Sequence, residues 1–234
     1  MSGNLLALDL KSGKTKWSVG EDEKAGYAQP LLVSIGNTKQ LICWGPTKIM
    51  GLPIGGGEEI WNFPYEVKYG VSIAKPIFEE GIVLVCGYWN GSRAIQVFNN
   101  GKGAKLIWAE EEKLRGLMAQ PLYREGIIYL LDRTYGLTAF RLQTGEILWR
   151  DEHKLTLAGR NPHATLIWSN QEAGDALSLN AEGELVYLNL NTDGYMEYWR
   201  DQVCGKTWAH PAYSGNQVIV RDDRSLSCWE LPLQ

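Results

Sequence analysis

A pair of markers recurs along this chain. Trp17, Trp61, Trp108, Trp149 and Trp199 follow one another at intervals of 44, 47, 41 and 50 residues. Pro30, Pro76, Pro121, Pro162 and Pro211 run in step, at intervals of 46, 45, 41 and 49. Each Trp follows a glycine by four or five positions (Gly13, Gly57, Gly103, Gly145 and Gly194), as a tight hairpin between two strands requires.

Between the markers each unit reads as four short β runs joined by turns, without a helical apolar period. In the fourth unit Pro121–Tyr123 begins a strand, Arg124–Gly126 turns, and Ile127–Leu131 is a continuous apolar strand. Asp132–Gly136 turns again, Leu137–Leu142 is the third strand, Gln143–Gly145 turns, and Glu146–Arg150 is the fourth. Apolar runs of this kind, in place of alternation, indicate sheets covered on both faces. Together with a period of about 40 to 50 residues, they predict an all-β propeller of four-stranded antiparallel blades. About five blades are present in one domain spanning 1–234. The full blades fall at 28–63, 74–109, 119–150 and 161–200, with partial ones at 3–19 and 208–234.

The Trp recurs because each blade must fill the same wedge beside its neighbour. Burying about 200 Å² of ring at roughly 25 cal/mol per Å² contributes up to about 5 kcal/mol, an upper bound because unfolded chains are already compact.

Composition narrows the function classes. The net charge of −4, with Lys and Arg scattered, offers no basic field for nucleic acid or anionic lipid. The 10 Trp and 11 Tyr against 4 Phe suit strands and interfaces, where a ring packs while its polar tip finds a partner. No run approaches the roughly 18 apolar residues of a membrane span, and Met1–Asn4 has neither the basic nor the apolar start of a signal peptide. Cys43, Cys86, Cys204 and Cys228 lack the close spacing of a metal or redox motif. Cys43, Cys86 and Cys228 lie in apolar strand-like runs and are expected to be plain buried thiols.

The segment from Ala7 through Asp9 and Gly13-Lys14 to Trp17 resembles the tryptophan-docking motif A-x-D-x-x-x-G-K-x-x-W of PQQ-like (pyrroloquinoline-quinone-like) propellers. Ala139–Trp149 is a near copy with Arg141 in the Asp place. The other units are looser: Gly51 and Pro53 take the Ala and Asp places before Trp61, and the third and fifth carry one extra residue after Gly103 and Gly194. WD repeats match less well, because the Trp-Asp pair and Gly-His start are missing. The stretch Asn180–Leu185, continued through Trp208–Pro211 to Leu226–Leu231, is similar to the C-terminal part of PQQ-like proteins of a planctomycete-type bacterial group. The resemblance implies a fold shared with the propeller lipoprotein of the outer-membrane β-barrel assembly machinery and with quinoproteins. It also implies a periplasmic or extracellular location.

The chain opens on a third strand (Asn4–Leu10) and a fourth (Thr15–Val19), and it ends on first, second and third strands. Its ends therefore interlock only with one redundant strand. Since relatives close at seven or eight blades, the expectation is the C-terminal part of a larger ring whose remaining blades lie in a parent chain. Five-bladed closure is the alternative.

In a propeller the innermost strand starts at the channel rim, so the residue before each marker Pro should face the funnel. Those positions are Gln29, Lys75, Gln120, Asn161 and His210. A solvated channel mouth accepts any polar residue, and a ligand-binding ring also requires them, so both readings stand. The loops between second and third strands should share that face. They supply Tyr88, Trp89, Asn90, Arg93, Asp132, Arg133, Tyr135, Arg221, Asp222 and Arg224. Exposed aromatics beside Arg and Asn suit a peptide strand or a sugar.

A quinoprotein dehydrogenase would bring an adjacent Cys pair, an Asp base, and Glu, Asn and Asp oxygens around Ca²⁺ holding the quinone. No Cys-Cys pair exists, and nothing distinguishes Asp132 or Asp222 from ordinary turn acids. His153, His163 and His210 lack zinc-site spacing, no nucleophile elbow accompanies them, and Gly55–Gly57 reads as a hairpin turn and not a phosphate cradle. The leading expectation is a non-catalytic scaffold holding a protein or polymer on its funnel face, with no cofactor, no metal, no nucleic-acid partner and no membrane insertion. The alternatives are a PQQ- and Ca²⁺-dependent dehydrogenase fragment and a carbohydrate-binding propeller.

Overall fold

The computed structural model describes residues 5–20 and 25–232. The expectations about Met1–Asn4, including the start of the first strand at Asn4, lie outside them. Two compact units result: one of Met1–Gly116 with Leu142–Gly145, the other of Leu117–Arg141 with Glu146–Gln234.

The first unit holds three antiparallel sheets. The first pairs β1 (Leu5–Leu8) with β2 (Thr15–Val19). The second runs in order through β3 (Leu31–Ile35), β4 (Thr38–Trp44), β5 (Lys48–Pro53) and β6 (Trp61–Pro64). The third comprises β7 (Ile77–Glu79), β8 (Ile82–Gly87), β9 (Gly91–Val97) and β10 (Ala104–Glu110).

The second unit repeats the plan. Its sheets are β11 (Leu122–Arg124), β12 (Ile127–Asp132), β13 (Gly136–Arg141) and β14 (Ile147–Arg150), then β15 (Ala164–Asn170), β16 (Asp175–Asn180), β17 (Glu184–Leu190) and β18 (Tyr195–Gln202). A last sheet of three strands holds β19 (Ala212–Ser214), β20 (Gln217–Arg221) and β21 (Leu226–Glu230). The four strands read in the fourth unit appear as β11 to β14, within a residue or two at each end.

Burial follows position in each sheet. In β8 and β12 every residue is buried, so the apolar runs do mark strands covered on both faces. By contrast β20 alternates exposed and buried residues. Cys43 and Cys86 are buried as expected, but Cys228 is exposed. The expectation failed there because β21 has no further strand beside it among the described residues, so its side chains meet little packing.

The register explains the docking motif. Its small residue sits directly across from the Trp: Ala7 pairs with Trp17, Gly51 with Trp61, Ala94 with Trp108 and Ala139 with Trp149. A side chain at Gly51 would run into the Trp61 indole. Register shifts beside Ala7, Trp108 and Ala139 add local twist where the ring turns out of its sheet.

From there each indole reaches a turn between third and fourth strands. Trp17 lies on Gly56, whose φ of 80° and missing side chain admit the ring. Trp108 Nε1 donates to Leu142 O at 2.8 Å and Trp149 Nε1 to Asn191 O at 2.9 Å. Trp61 is relayed: its Nε1 donates to Gln40 Oε1 at 2.9 Å, and Gln40 Nε2 donates to Gly101 O at 3.0 Å. Trp199 Nε1 has no partner among the described residues, where the last sheet offers no such turn.

Candidate functional site

In each unit, the connections from a fourth strand to the next first strand are tied to the turns between second and third strands. Both therefore lie at one end of the blades, as the sequence predicted. In the first unit Val67 N donates to Pro46 O at 2.7 Å, Ser72 Oγ to Trp44 O at 3.0 Å and Ser92 Oγ to Leu114 O at 2.6 Å. In the second, Ala181 N donates to His163 O at 2.9 Å and Thr207 Oγ1 to Arg221 O at 2.6 Å. Asp151 Oδ1 accepts from the Leu137 amide at 2.8 Å and its Oδ2 from the Leu155 amide at 2.9 Å. Burial raises the Asp151 pKa above the ordinary value, against the pull of these amides and that of His153.

The first unit carries an aromatic cluster at this end. Trp89 stands edge-on to Tyr88, with ring centres 4.3 Å apart, and to Tyr69 at 5.4 Å. Lys68 Nζ lies 5.3 Å from the centre of the Tyr69 ring. Tyr69 is 67% exposed although its φ is 63°, a left-handed conformation that disfavours a bulky side chain. The geometry is held from both sides. Asn90 Oδ1 accepts from the Lys68 amide at 3.2 Å, and Tyr65 Oη donates to Gly91 O at 2.6 Å.

Arg93 is a brace in this cluster. Its guanidinium lies 4.8 Å over the Tyr65 ring, donates to Asn90 O and Ser92 O at 3.0 Å, and pairs with Glu111 at 2.7 Å. Tyr65 stacks on Trp44 at 5.9 Å, and burial pushes its phenol well above the ordinary range. Among the marker positions Gln29 is exposed and Lys75 half-buried, the latter engaged within the protein.

In the second unit Gln120 and Asn161 are also engaged by other groups of the chain. Arg133 and Tyr135 are half-buried, and the Arg150 guanidinium sits 3.9 Å over the Tyr135 ring. Arg221 is exposed and lines a cleft of about 420 Å³ with Lys206, Trp208 and Asp222. His210 is exposed, and its ring centre lies 6.3 Å from that of His163. Burial, then the neighbouring His210, lowers the His163 pKa.

The two acids open to nomination as a base are both committed to turns. Asp132 Oδ1 accepts from the Thr134 and Tyr135 amides at 2.7 and 2.9 Å. Asp222 accepts from the Gly205, Arg224 and Ser225 amides at 2.7, 2.8 and 2.7 Å, which hold its pKa down at about 2. Among the described residues no three His, Cys, Asp or Glu side chains gather to hold an ion.

Sequence reasoning missed Tyr69 and Lys68, which lie on a connection it left unread. It also missed Trp208 and the placing of His163 beside His210.

A family model described as outer membrane protein assembly factor BamB matches residues 2–151 and 55–194. Among solved structures, the chain is similar to BamB from Moraxella catarrhalis at 20% identity and a TM-score of 0.52, covering 98% of this chain and 77% of that one. It is similar to the computationally designed protein Ika8 at 12% identity and a TM-score of 0.57, covering 98% and 78%. The quinohemoprotein alcohol dehydrogenase ADHIIG from Pseudomonas putida HK5 aligns at 12% identity and a TM-score of 0.56, over 88% of this chain and 38% of that enzyme. At these identities the likeness speaks for the fold alone: an all-β propeller of four-stranded blades. No curated protein shows a significant match to the chain.

Proposed function

The chain belongs to the family of the outer membrane protein assembly factor BamB, and from that premise we propose that it is a non-catalytic scaffold that docks a partner protein on the connection end of its blades. The observation that carries this reading is the Tyr69–Trp89–Tyr88 cluster. Aromatic side chains with a cation beside them supply rigid, amphipathic contact area at low entropic cost, which is the composition of binding hot spots. The left-handed Tyr69 backbone supports it further. Strain of about 1–3 kcal/mol persists where the surroundings over-determine it, and here it presents an exposed ring. The family name suggests the partner class, a component of outer-membrane protein assembly, and with it a periplasmic or outer-membrane-associated location.

A photo-reactive side chain at position 89 tests the reading against one at position 54, on the β5–β6 turn at the opposite end. The scaffold reading predicts adducts with an outer-membrane assembly protein from position 89 and none from position 54. Adducts from both positions, or from 54 alone, would contradict it.

A further inference from the structure

The residue after the marker proline is Leu31, Ile77, Leu122 or Ala212 in four blades, but His163 in the blade that begins with β15. The sheet position of those four residues belongs in this blade to Ile167, so His163 lies on the connection just before β15. Its side chain is only 3% exposed, and neither Nδ1 nor Nε2 has a hydrogen-bond partner among the described residues. Two desolvated ring nitrogens without partners are costly, and a buried imidazole that keeps them needs a reason.

The connection from β18 to β19 brings two more rings to the same place. Trp208, 53% exposed, lies 5.5 Å from His163 with the planes tilted by 34°. His210 lies 6.3 Å away at 66° and is open to solvent. It occupies the rim position filled by Gln29, Lys75, Gln120 and Asn161 in the other blades. The two histidines are 47 residues apart in the chain, so only the fold could join them.

We propose that His163 and His210 form a two-imidazole subsite for a divalent transition-metal ion, with its remaining coordination positions open to water or to a side chain of a bound partner. Metal–nitrogen bonds of about 2.0–2.1 Å place the centres of two imidazoles sharing an ion about 5.2 Å apart at a tetrahedral angle, and about 6.4 Å apart only when the two nitrogens lie opposite each other. The observed 6.3 Å therefore exceeds the tetrahedral spacing by about 1 Å, which the exposed His210 ring closes by turning inward. Nitrogen donors suit Zn²⁺, Ni²⁺ or Cu²⁺, whereas Mg²⁺ and Ca²⁺ take oxygen. Because no third His, Cys, Asp or Glu joins the pair among the described residues, the ion is held loosely and its coordination is completed from outside.

The test titrates metal-free protein with Ni²⁺ and separately with Zn²⁺, recording heat and tryptophan fluorescence. One ion should bind, and Ni²⁺ should quench, because Trp208 lies against the site. His163→Leu removes both ring nitrogens but keeps an apolar filler of similar size, and His210→Gln installs the residue found at positions 29 and 120, so both variants should stay folded, which their melting profiles check. Loss of outer-shell partners alone weakens metal sites about 10- to 100-fold, so either variant should lose at least about tenfold in affinity. Trp208→Phe should bind but lose the quenching, and His153→Ala should bind as the wild type does. No binding by the wild type, binding that survives both histidine variants, or loss in His153→Ala would overturn the proposal.

Discussion

At the hairpin end of the blades the same contact is made again and again, while at the connection end every blade makes a different one. Trp17 meets Gly56, Trp108 meets Leu142 O, and Trp149 meets Asn191 O, each a fourth-strand indole on a turn between third and fourth strands. At the other end Tyr69 meets Trp89, Arg150 meets Tyr135, and Trp208 meets His163. The repetition carries the fold, and on the proposed reading the departures from it carry recognition. Changes at the hairpin end should therefore read out as stability, and changes at the connection end as binding.

The largest expected effect belongs to the hairpin end. Trp61 is 5% exposed and relays through Gln40, so Trp61→Ala should cost about 3–5 kcal/mol in urea unfolding. Trp149 packs against Tyr129 and Tyr195 but is only half-buried, and Trp149→Ala should fall at the lower end of the same range, about 3 kcal/mol. An unchanged midpoint in Trp149→Ala would break the claim that the markers are wedges.

A smaller effect of opposite sign is expected at Tyr69. A left-handed conformation costs a non-glycine residue roughly 1–2 kcal/mol, so Tyr69→Gly should leave stability unchanged or raise it by about 1 kcal/mol while weakening partner capture. A loss of stability with binding intact would make Tyr69 a structural residue and reverse the comparison.

The smallest effect concerns Asp222. Its folded pKa lies below the ordinary value, so its contribution is present above about pH 4 and fades as pH falls toward 2. Protection of the Gly205 amide from hydrogen exchange should follow that curve, and Asp222→Ala should abolish both the protection and its pH dependence.

Most of the scaffold was legible in the sequence because it repeats. The Trp and Pro markers placed the strands of the fourth unit within a residue or two, since a ring, a small residue opposite it and a glycine turn recur there, although in the fifth unit Tyr187 stands opposite Trp199. The connection end was legible only where it touches those markers. Trp89 and Tyr88 were found from their turn, but Tyr69 was not, because its exposure depends on Asn90 pinning the Lys68 amide 22 positions away. Arg93 was read as a rim residue, yet Tyr65, Glu111 and two carbonyls hold it, partners that no local pattern names. Position 163 was not legible, because alignment on the prolines sets His163 beside Leu122 whereas the ladder gives that place to Ile167, four residues later. Cys228 misled because an apolar run identifies a strand without saying what covers it.

The most direct measurement compares the affinity of Trp89→Ala and Ile54→Ala for the protein captured at position 89. Ile54 is 52% exposed at the hairpin end. The account predicts that Trp89→Ala weakens binding at least about tenfold, as a hot-spot residue does, with its melting temperature little changed, and that Ile54→Ala binds as the wild type. Equal affinity in both variants, or loss only in Ile54→Ala, would contradict it.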